Sequence, residues 1–212
     1  FNKEHNLNLS FIAENGSSIN GLNFINENLP DAISMSRTVD QIYEIYSKNI
    51  PYVLKQKVIF ISKLDKREQE KILGLSLYKV KLAMDRKYSI PILFEGSEVE
   101  KDEFIKIINV AGLTAQTGGR IINICDKVNK SEAIIKTLEL ISNEIQNDII
   151  TIGVGDNQND MDMLKETDYS CLVKNDNFDS SLINIDNLIK SSEPSPLGWA
   201  DVIKTAIQKI ES

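Results

Sequence analysis

The chain has 212 residues, 31 acidic against 24 basic, giving a formal charge of −7 and a pI near 4.9. That balance argues against nucleic acid or an anionic membrane surface as partner, and nothing approaches the run of about twenty apolar residues needed to span a bilayer. The length suits one core domain with a small insertion. Cys125 and Cys171 sit in apolar segments and read as reduced, buried small hydrophobes. His5, in the polar opening segment, reads as solvated. With no basic segment and cleavage site at its start, a cytoplasmic protein is expected.

In chain order, a strand over 9–13 closes on the turn signal Glu14-Asn15-Gly16, and 17–30 continues as strand and loop. Val39, Ile42, Ile45 and Tyr46 recur at helical spacing across 38–48. Residues 53–61 are β-branched enough for a strand, 65–73 and 77–84 read as helices, 90–94 as a strand and 98–111 as an amphipathic helix. Strands over 113–116 and 120–125 flank a Gly-Gly turn. A long helix over 130–146, a strand over 149–154, a helix over 161–165, a strand over 169–173 and a final helix over 198–210 follow.

This second half alternates strand and helix, which predicts an α/β fold with a doubly wound parallel sheet covered on both faces. The run Ile149-Ile150-Thr151-Ile152 fits a strand buried on both sides. Residues 35–111 break that rhythm and read as an inserted α+β cap, with 1–34 and 112–212 forming the core. Met161, Met163 and Leu164 read as helix core.

The densest chemistry lies in Thr151-Ile-Gly-Val-Gly-Asp-Asn-Gln-Asn-Asp-Met-Asp-Met-Leu164, an apolar strand, a glycine turn, a carboxylate and a helix start. Asp156 falls at the strand's C-terminal lip, where parallel sheets place ligand sites. Asp160, four residues on, returns to the same helix face, with Asn159 a neutral polar group beside the two acids. Oxygen donors converging on one strand end suit Mg²⁺, which keeps waters that a phosphate can displace. Lys130, opening the long helix, can offset those carboxylates and reach toward a phosphate; Lys127 is the alternative. Paired glycines at 118 and 119 allow close backbone approach, and Arg120 suits bidentate recognition of carboxylate or phosphate.

Gly155-Asp156-Asn157-Gln158-Asn159-Asp160 with Met163-Leu164 resembles the fourth motif of the haloacid dehalogenase (HAD) superfamily, in its sugar-phosphatase branch. Phe11-Ile-Ala-Glu-Asn-Gly16, Ala83-Met-Asp-Arg-Lys-Tyr-Ser89, and Thr117-Gly-Gly-Arg120 leading to Asn129-Lys-Ser-Glu-Ala133 narrow the likeness to the mannosyl-3-phosphoglycerate phosphatases. The resemblance implies that Asp156 binds Mg²⁺, that Asp160 supports the metal site and a nearby lysine, and that Lys130 is this lysine. It implies that Gly118, Gly119 and Arg120 hold a phosphoglycerate. It also implies that Arg86, Tyr88 and Ser89, with Asn159, form further substrate contacts, Arg86 and Arg120 gripping the anionic part. Glu14-Asn15-Gly16 would be mainly a structural turn, and Trp199, in Ser195-Pro-Leu-Gly-Trp199, a buried structural residue.

Two departures stand out. Position 90 is Ile where the family carries an acid before proline. The family's strand-end Asp-x-Asp pair, nucleophile and general acid, has no counterpart, since Asp160-Met-Asp162 lies in a helix. Because residue 1 is Phe, a piece of a longer reading frame is expected, its nucleophile upstream. The expected function is Mg²⁺-dependent hydrolysis of a phosphorylated sugar or glycosyl-3-phosphoglycerate, a small-molecule substrate, through an aspartyl-phosphate. A broader-specificity sugar phosphatase, an inactive phosphate-ligand-binding relic and a non-catalytic scaffold are the alternatives.

Overall fold

The computed structural model describes residues 2–118, 121–181 and 183–212. A short helix α1 (Asn2–His5) precedes β1 (Phe11–Ala13), β2 (Ser18–Asn20) and β3 (Ala32–Ser34), three strands that form a small sheet in that order. Then come α2 (Val39–Asn49), α3 (Tyr52–Lys55), β4 (Val58–Phe60), α4 (Lys66–Leu73), α5 (Leu77–Met84), β5 (Ser89–Phe94), α6 (Glu98–Val110), β6 (Leu113–Gly118) and β7 (Ile121–Asp126). The chain ends with α7 (Lys130–Glu144), β8 (Ile152–Gly155), α8 (Met161–Lys165), β9 (Tyr169–Lys174), β10 (Ile189–Pro194) and α9 (Leu197–Ile210). Two compact units result: one holds the opening residues to Ile12, Asn20–Asp31 and Lys130–Ser212, the other Ala13–Ile19 and Ala32–Asn129. Among the described residues no helix is long and apolar enough to cross a membrane.

The second unit is an antiparallel sheet, β4-β5-β7-β6, backed by helices. Three of its helices, α2, α4 and α6, start where the sequence supplies reciprocal caps: Thr38 with Gln41, Asp65 with Glu68, and Ser97 with Glu100, each satisfying backbone N–H groups the first turn leaves open. Side chains alternate across the strands. Ile90, Ile92, Ile122, Ile124 and Leu113 face α2 and α6, burying Ile42, Tyr46, Phe104 and Ile108. The register sets Ser89 against Cys125, Thr114 against Cys125, and Gln116 against Asn123, so the alternate positions form a polar opposite face.

This pairing moves the expected boundary. Residues 113–126 were expected in a parallel core, but they extend the cap sheet, because Ile122 and Ile124 continue the apolar face begun by Ile90 and Ile92. The second unit therefore runs to Asn129. The expected strand over 53–61 begins at Val58; Pro51, with φ −59°, starts a helical turn that points Leu54 into the core.

Arg37 and Asp126 clamp this unit near the two ends of its long segment. The Asp126 carboxylate accepts from the Arg37 backbone N–H and Nε, both at 2.9 Å, and from its Nη2, which also donates to the Gly112 carbonyl. The guanidinium's hydrogen bonds hold the Asp126 carboxyl below its ordinary range. A depressed carboxylate contributes stability above its unfolded pKa and loses it as pH falls through the folded value. Acid melts should therefore show wild type losing stability below the ordinary carboxylate range, with Asp126→Asn flatter there and about 1–2 kcal/mol less stable at neutral pH, discounted because Arg37 is partly exposed. Parallel acid limbs in the two proteins would remove the clamp's role.

In the first unit, β8 and β9 pair in parallel, as do β9 and β10. Cys171, Val173 and Ile189 pack on Val202 and Ala206 of α9, while Leu172 turns the other way onto Met161 and Leu164 of α8. Both cysteines are buried and free, and Met163 packs against the α8 cluster, as expected. His5 is exposed. Three differences appear. β8 begins at Ile152, leaving Ile150 at 53 % exposure instead of doubly covered. β10 is a strand the sequence reading lacks. Trp199 is 51 % exposed, because α9 buries Gly198, Val202 and Ala206 and turns the indole outward. β8 lies at the sheet's edge, and Ile134, Leu138 and Ile141 of α7 are half-exposed.

Candidate active site

The first unit brings Asp156, Asp160 and Lys130 together. Asp156 follows β8 directly, and the turn Gln158–Asp160 carries the chain into α8. Glycine at 155 is a packing requirement: a Cβ there would lie 2.4 Å from Cβ of Asp160. That close approach lets the Asp160 carboxylate reach back to the strand end. Its Oδ2 accepts from the Asp156 backbone N–H at 3.3 Å, and its Oδ1 from Nζ of Lys130 at 2.6 Å.

Asp160 is only 8 % exposed, and the Lys130 side chain is partly buried with it. A buried carboxylate without a partner is costly, so the ammonium balances Asp160 and is itself fixed at the N-terminus of α7. Asp156 differs. It is exposed, and Asn175 Nδ2 donates to its carbonyl oxygen at 3.1 Å and lies 3.5 Å from its Oδ2. One carboxylate is thus held in an ion pair and the other left available. Lys127 donates its backbone N–H to Asp126 within the second unit, so Lys130 is the lysine at the Asp160 carboxylate. Asn175 was not legible, because nothing local links it to a residue 19 positions earlier.

The second unit holds the other cluster. Glu14, Asn15 and Gly16 carry positive φ of 47°, 58° and 106°, a left-handed run costly for side-chain-bearing residues. This turn aims the Glu14 carboxylate at residues 87–89. It accepts from the Lys87 N–H at 2.8 Å, the Tyr88 N–H at 3.2 Å and the Ser89 hydroxyl at 2.6 Å. Arg86 donates through Nε to the Ala83 carbonyl and through Nη1 to Ser89 Oγ, both at 3.0 Å. Arg86, Tyr88 and Ser89 are thus organised by Glu14, which a sequence reading of the turn alone does not reveal.

A cavity of about 400 Å³ opens beside them, lined among others by Glu14, Asp85, Arg86, Ser89, Gln116 and Asn123. Ile90 faces the apolar side of the sheet at 5 % exposure, so the acid the resembled family carries there would be buried among hydrocarbon in this chain. Gly118 ends β6 opposite Ile121. Gly119 and Arg120 lie outside the described residues, as does the side chain of Asn159.

The glucosyl-3-phosphoglycerate/mannosyl-3-phosphoglycerate phosphatase of Methanococcoides burtonii is 31 % identical over 156 residues, 72 % of this chain and 56 % of the relative. The chain thus spans little more than half of that relative's length. A protein of the same name from Persephonella marina is 25 % identical over 218 residues, covering 99 % of this chain and 80 % of its own. A haloacid dehalogenase-like hydrolase from B. subtilis superposes with a TM-score of 0.58 at 15 % identity, over 96 % of this chain and 81 % of that one, which supports the α/β fold with its cap. The model of the haloacid dehalogenase-like hydrolases matches residues 1–191, and the chain belongs to that family.

Proposed function

We propose that this chain supplies the cation-binding, lysine-bearing and substrate-selecting parts of a Mg²⁺-dependent phosphatase acting on a phosphorylated sugar or glycosyl-3-phosphoglycerate. The observation that carries the reading is the division of labour at the end of β8, with Asp160 paired to Lys130 and Asp156 left exposed. Among the described residues no group of three acidic, histidine or cysteine side chains could enclose a metal. A single hard carboxylate suits a cation that keeps most of its waters and takes substrate phosphate for the rest. Asp156 would hold it; when bound, the ion supplies Lewis-acid polarisation of the phosphoryl group.

The chain's own residues do the remaining work. Lys130 places positive charge beside the equatorial phosphoryl oxygens, where charge accumulates in transfer. Asp160 keeps the ammonium aimed through its 2.6 Å contact. Asn159, Gly118, Gly119 and Arg120 are assigned to the substrate, Arg120 to its anionic part. The attacking aspartate and the aspartate that protonates the leaving oxygen are assigned to a segment N-terminal to Phe1. The edge position of β8 and the half-exposed apolar residues of α7 support that placement, since a further parallel strand would cover both.

Phosphate release from mannosyl-, glucosyl- and unsubstituted 3-phosphoglycerate and from simple hexose phosphates tests the reading, measured with and without Mg²⁺. The 212-residue chain alone should show no turnover. The protein extended through its N-terminal strands should prefer the glycosylated phosphoglycerates and require Mg²⁺. Preference for hexose phosphates would make it a broader sugar phosphatase, a reading that Ile90 favours. No turnover in the extended protein would make it a ligand-binding relic.

A further inference from the structure

Asp156 leaves the sheet where backbone pairing stops. The parallel ladder between β8 and β9 ends with Gly155 opposite Leu172, so it supplies no partner for the next residue. Two side chains take over. Asp160 accepts the Asp156 N–H through Oδ2 at 3.3 Å, and Nδ2 of Asn175 donates to the Asp156 carbonyl at 3.1 Å. The same amide lies 3.5 Å from Oδ2 of Asp156, a long contact at the edge of hydrogen-bonding distance. It thus reaches both the main chain and the carboxylate of one residue.

Asn175 is itself held. It follows β9 directly; its Oδ1 accepts the Asn177 N–H at 3.0 Å, and its carbonyl accepts the Phe178 N–H at 3.0 Å. The turn this closes ends on Phe178, which packs against Met161, Leu164 and Leu172. An amide meets both demands of this position. Its oxygen closes the turn as a serine or aspartate oxygen would, and its NH₂ supplies a donor that aspartate lacks. Aspartate there would set a second anion against the Asp156 oxygens.

We infer that Asn175 is a positioning residue for the cation, holding the Asp156 backbone and steadying its carboxylate in the orientation that takes the ion. The inference rests on the assignment of Mg²⁺ to Asp156 and deepens it. Asp156 is exposed, so without such a partner its carboxylate samples several rotamers, and binding must select one of them. Groups that hydrogen-bond a metal ligand commonly contribute about 10- to 100-fold to metal affinity. Mg²⁺ demands near-ideal octahedral geometry and Ca²⁺ does not, so orientation matters more for the smaller ion. Asn175 is neutral, and its loss changes geometry without changing charge.

Mg²⁺ and, separately, Ca²⁺ are titrated into the protein extended through its N-terminal strands and followed by ¹H–¹⁵N NMR, with the Tm of the metal-free protein measured alongside. Asn175→Ser keeps an oxygen for the turn but is too short to reach Asp156. It should weaken Mg²⁺ binding on the order of tenfold or more and Ca²⁺ binding much less, with little change in metal-free Tm. The Mg²⁺ concentration for half-maximal turnover should rise in parallel. Asn175→Ala removes the turn's acceptor too, so it should lower Tm further yet bind Mg²⁺ no more weakly than Asn175→Ser. Equal Mg²⁺ affinity in wild type and Asn175→Ser, equal losses for the two ions, or affinity that falls only in step with Tm overturns the inference. Failure of the wild-type protein to bind Mg²⁺ would remove the proposed function and this inference with it; wild-type binding indifferent to Asn175 would remove the inference alone.

Discussion

Replacing Lys130 with Ala in the extended enzyme is expected to cut kcat on the order of a hundred- to a thousand-fold. Removing one preorganised charge from a developing phosphoryl transition state costs about 3–4 kcal/mol, and each 1.36 kcal/mol is a factor of ten. The loss should fall mainly on kcat, since the charge it balances grows only as the bond breaks. A structural contribution is expected too, because the variant leaves Asp160, 8 % exposed, without its cation. The double variant Lys130→Met with Asp160→Asn separates the effects. It should recover the thermal stability lost in Lys130→Met alone while staying as slow. Recovery of both rate and stability would mean that Lys130 serves only to balance Asp160. Lys127→Ala should leave the rate within a few fold; if it abolishes turnover while Lys130→Ala does not, the lysine assignment fails.

The parts of the site that were legible in the sequence are those whose geometry is local. Gly155, Asp156 and Asp160 fall within six consecutive residues, so a strand end, a turn and one helical repeat suffice to bring them together. The helices that start at Thr38, Asp65 and Ser97 were read to within a residue from their apolar pattern, and the structure adds a reciprocal cap, a four-residue device, at each start. Elements set by distant partners were not. The alternation Ile122, Ile124 is compatible with a parallel or an antiparallel neighbour, and only pairing with Ile90 and Ile92, about thirty residues earlier, assigns it to the cap sheet. β10 reads Ile-Lys-Ser-Ser-Glu-Pro, polar throughout after its buried Ile189, because an edge strand needs little apolar surface. Trp199 shows the opposite failure: a large aromatic invites a buried reading, but the face α9 buries is the one carrying Val202 and Ala206.

Glu14 is the position at which a single substitution should disturb specificity most. Its carboxylate accepts three hydrogen bonds from Lys87, Tyr88 and Ser89, more than seventy residues away, and through Ser89 it sets the position of Arg86. Those bonds also hold the left-handed backbone at Glu14 and Asn15, which carries its own conformational cost. Glu14→Ala should therefore destabilise the second unit by about 2–3 kcal/mol, the worth of hydrogen bonds to a charged group. It should raise KM for the glycosylated substrate on the order of tenfold or more, with kcat changed far less, because the phosphoryl chemistry is assigned to Asp156 and Lys130. Glu14→Gln is the sharper variant. Oε1 receives one N–H and Oε2 receives an N–H and a hydroxyl, so either orientation of the amide sets an NH₂ group against a backbone donor. Retention of length without the second acceptor should reproduce most of the KM defect with a smaller loss of Tm. Glu14→Gln kinetics matching wild type, or a Glu14→Ala defect confined to kcat, would show that the turn at 14–16 does not govern the segment at 86–89.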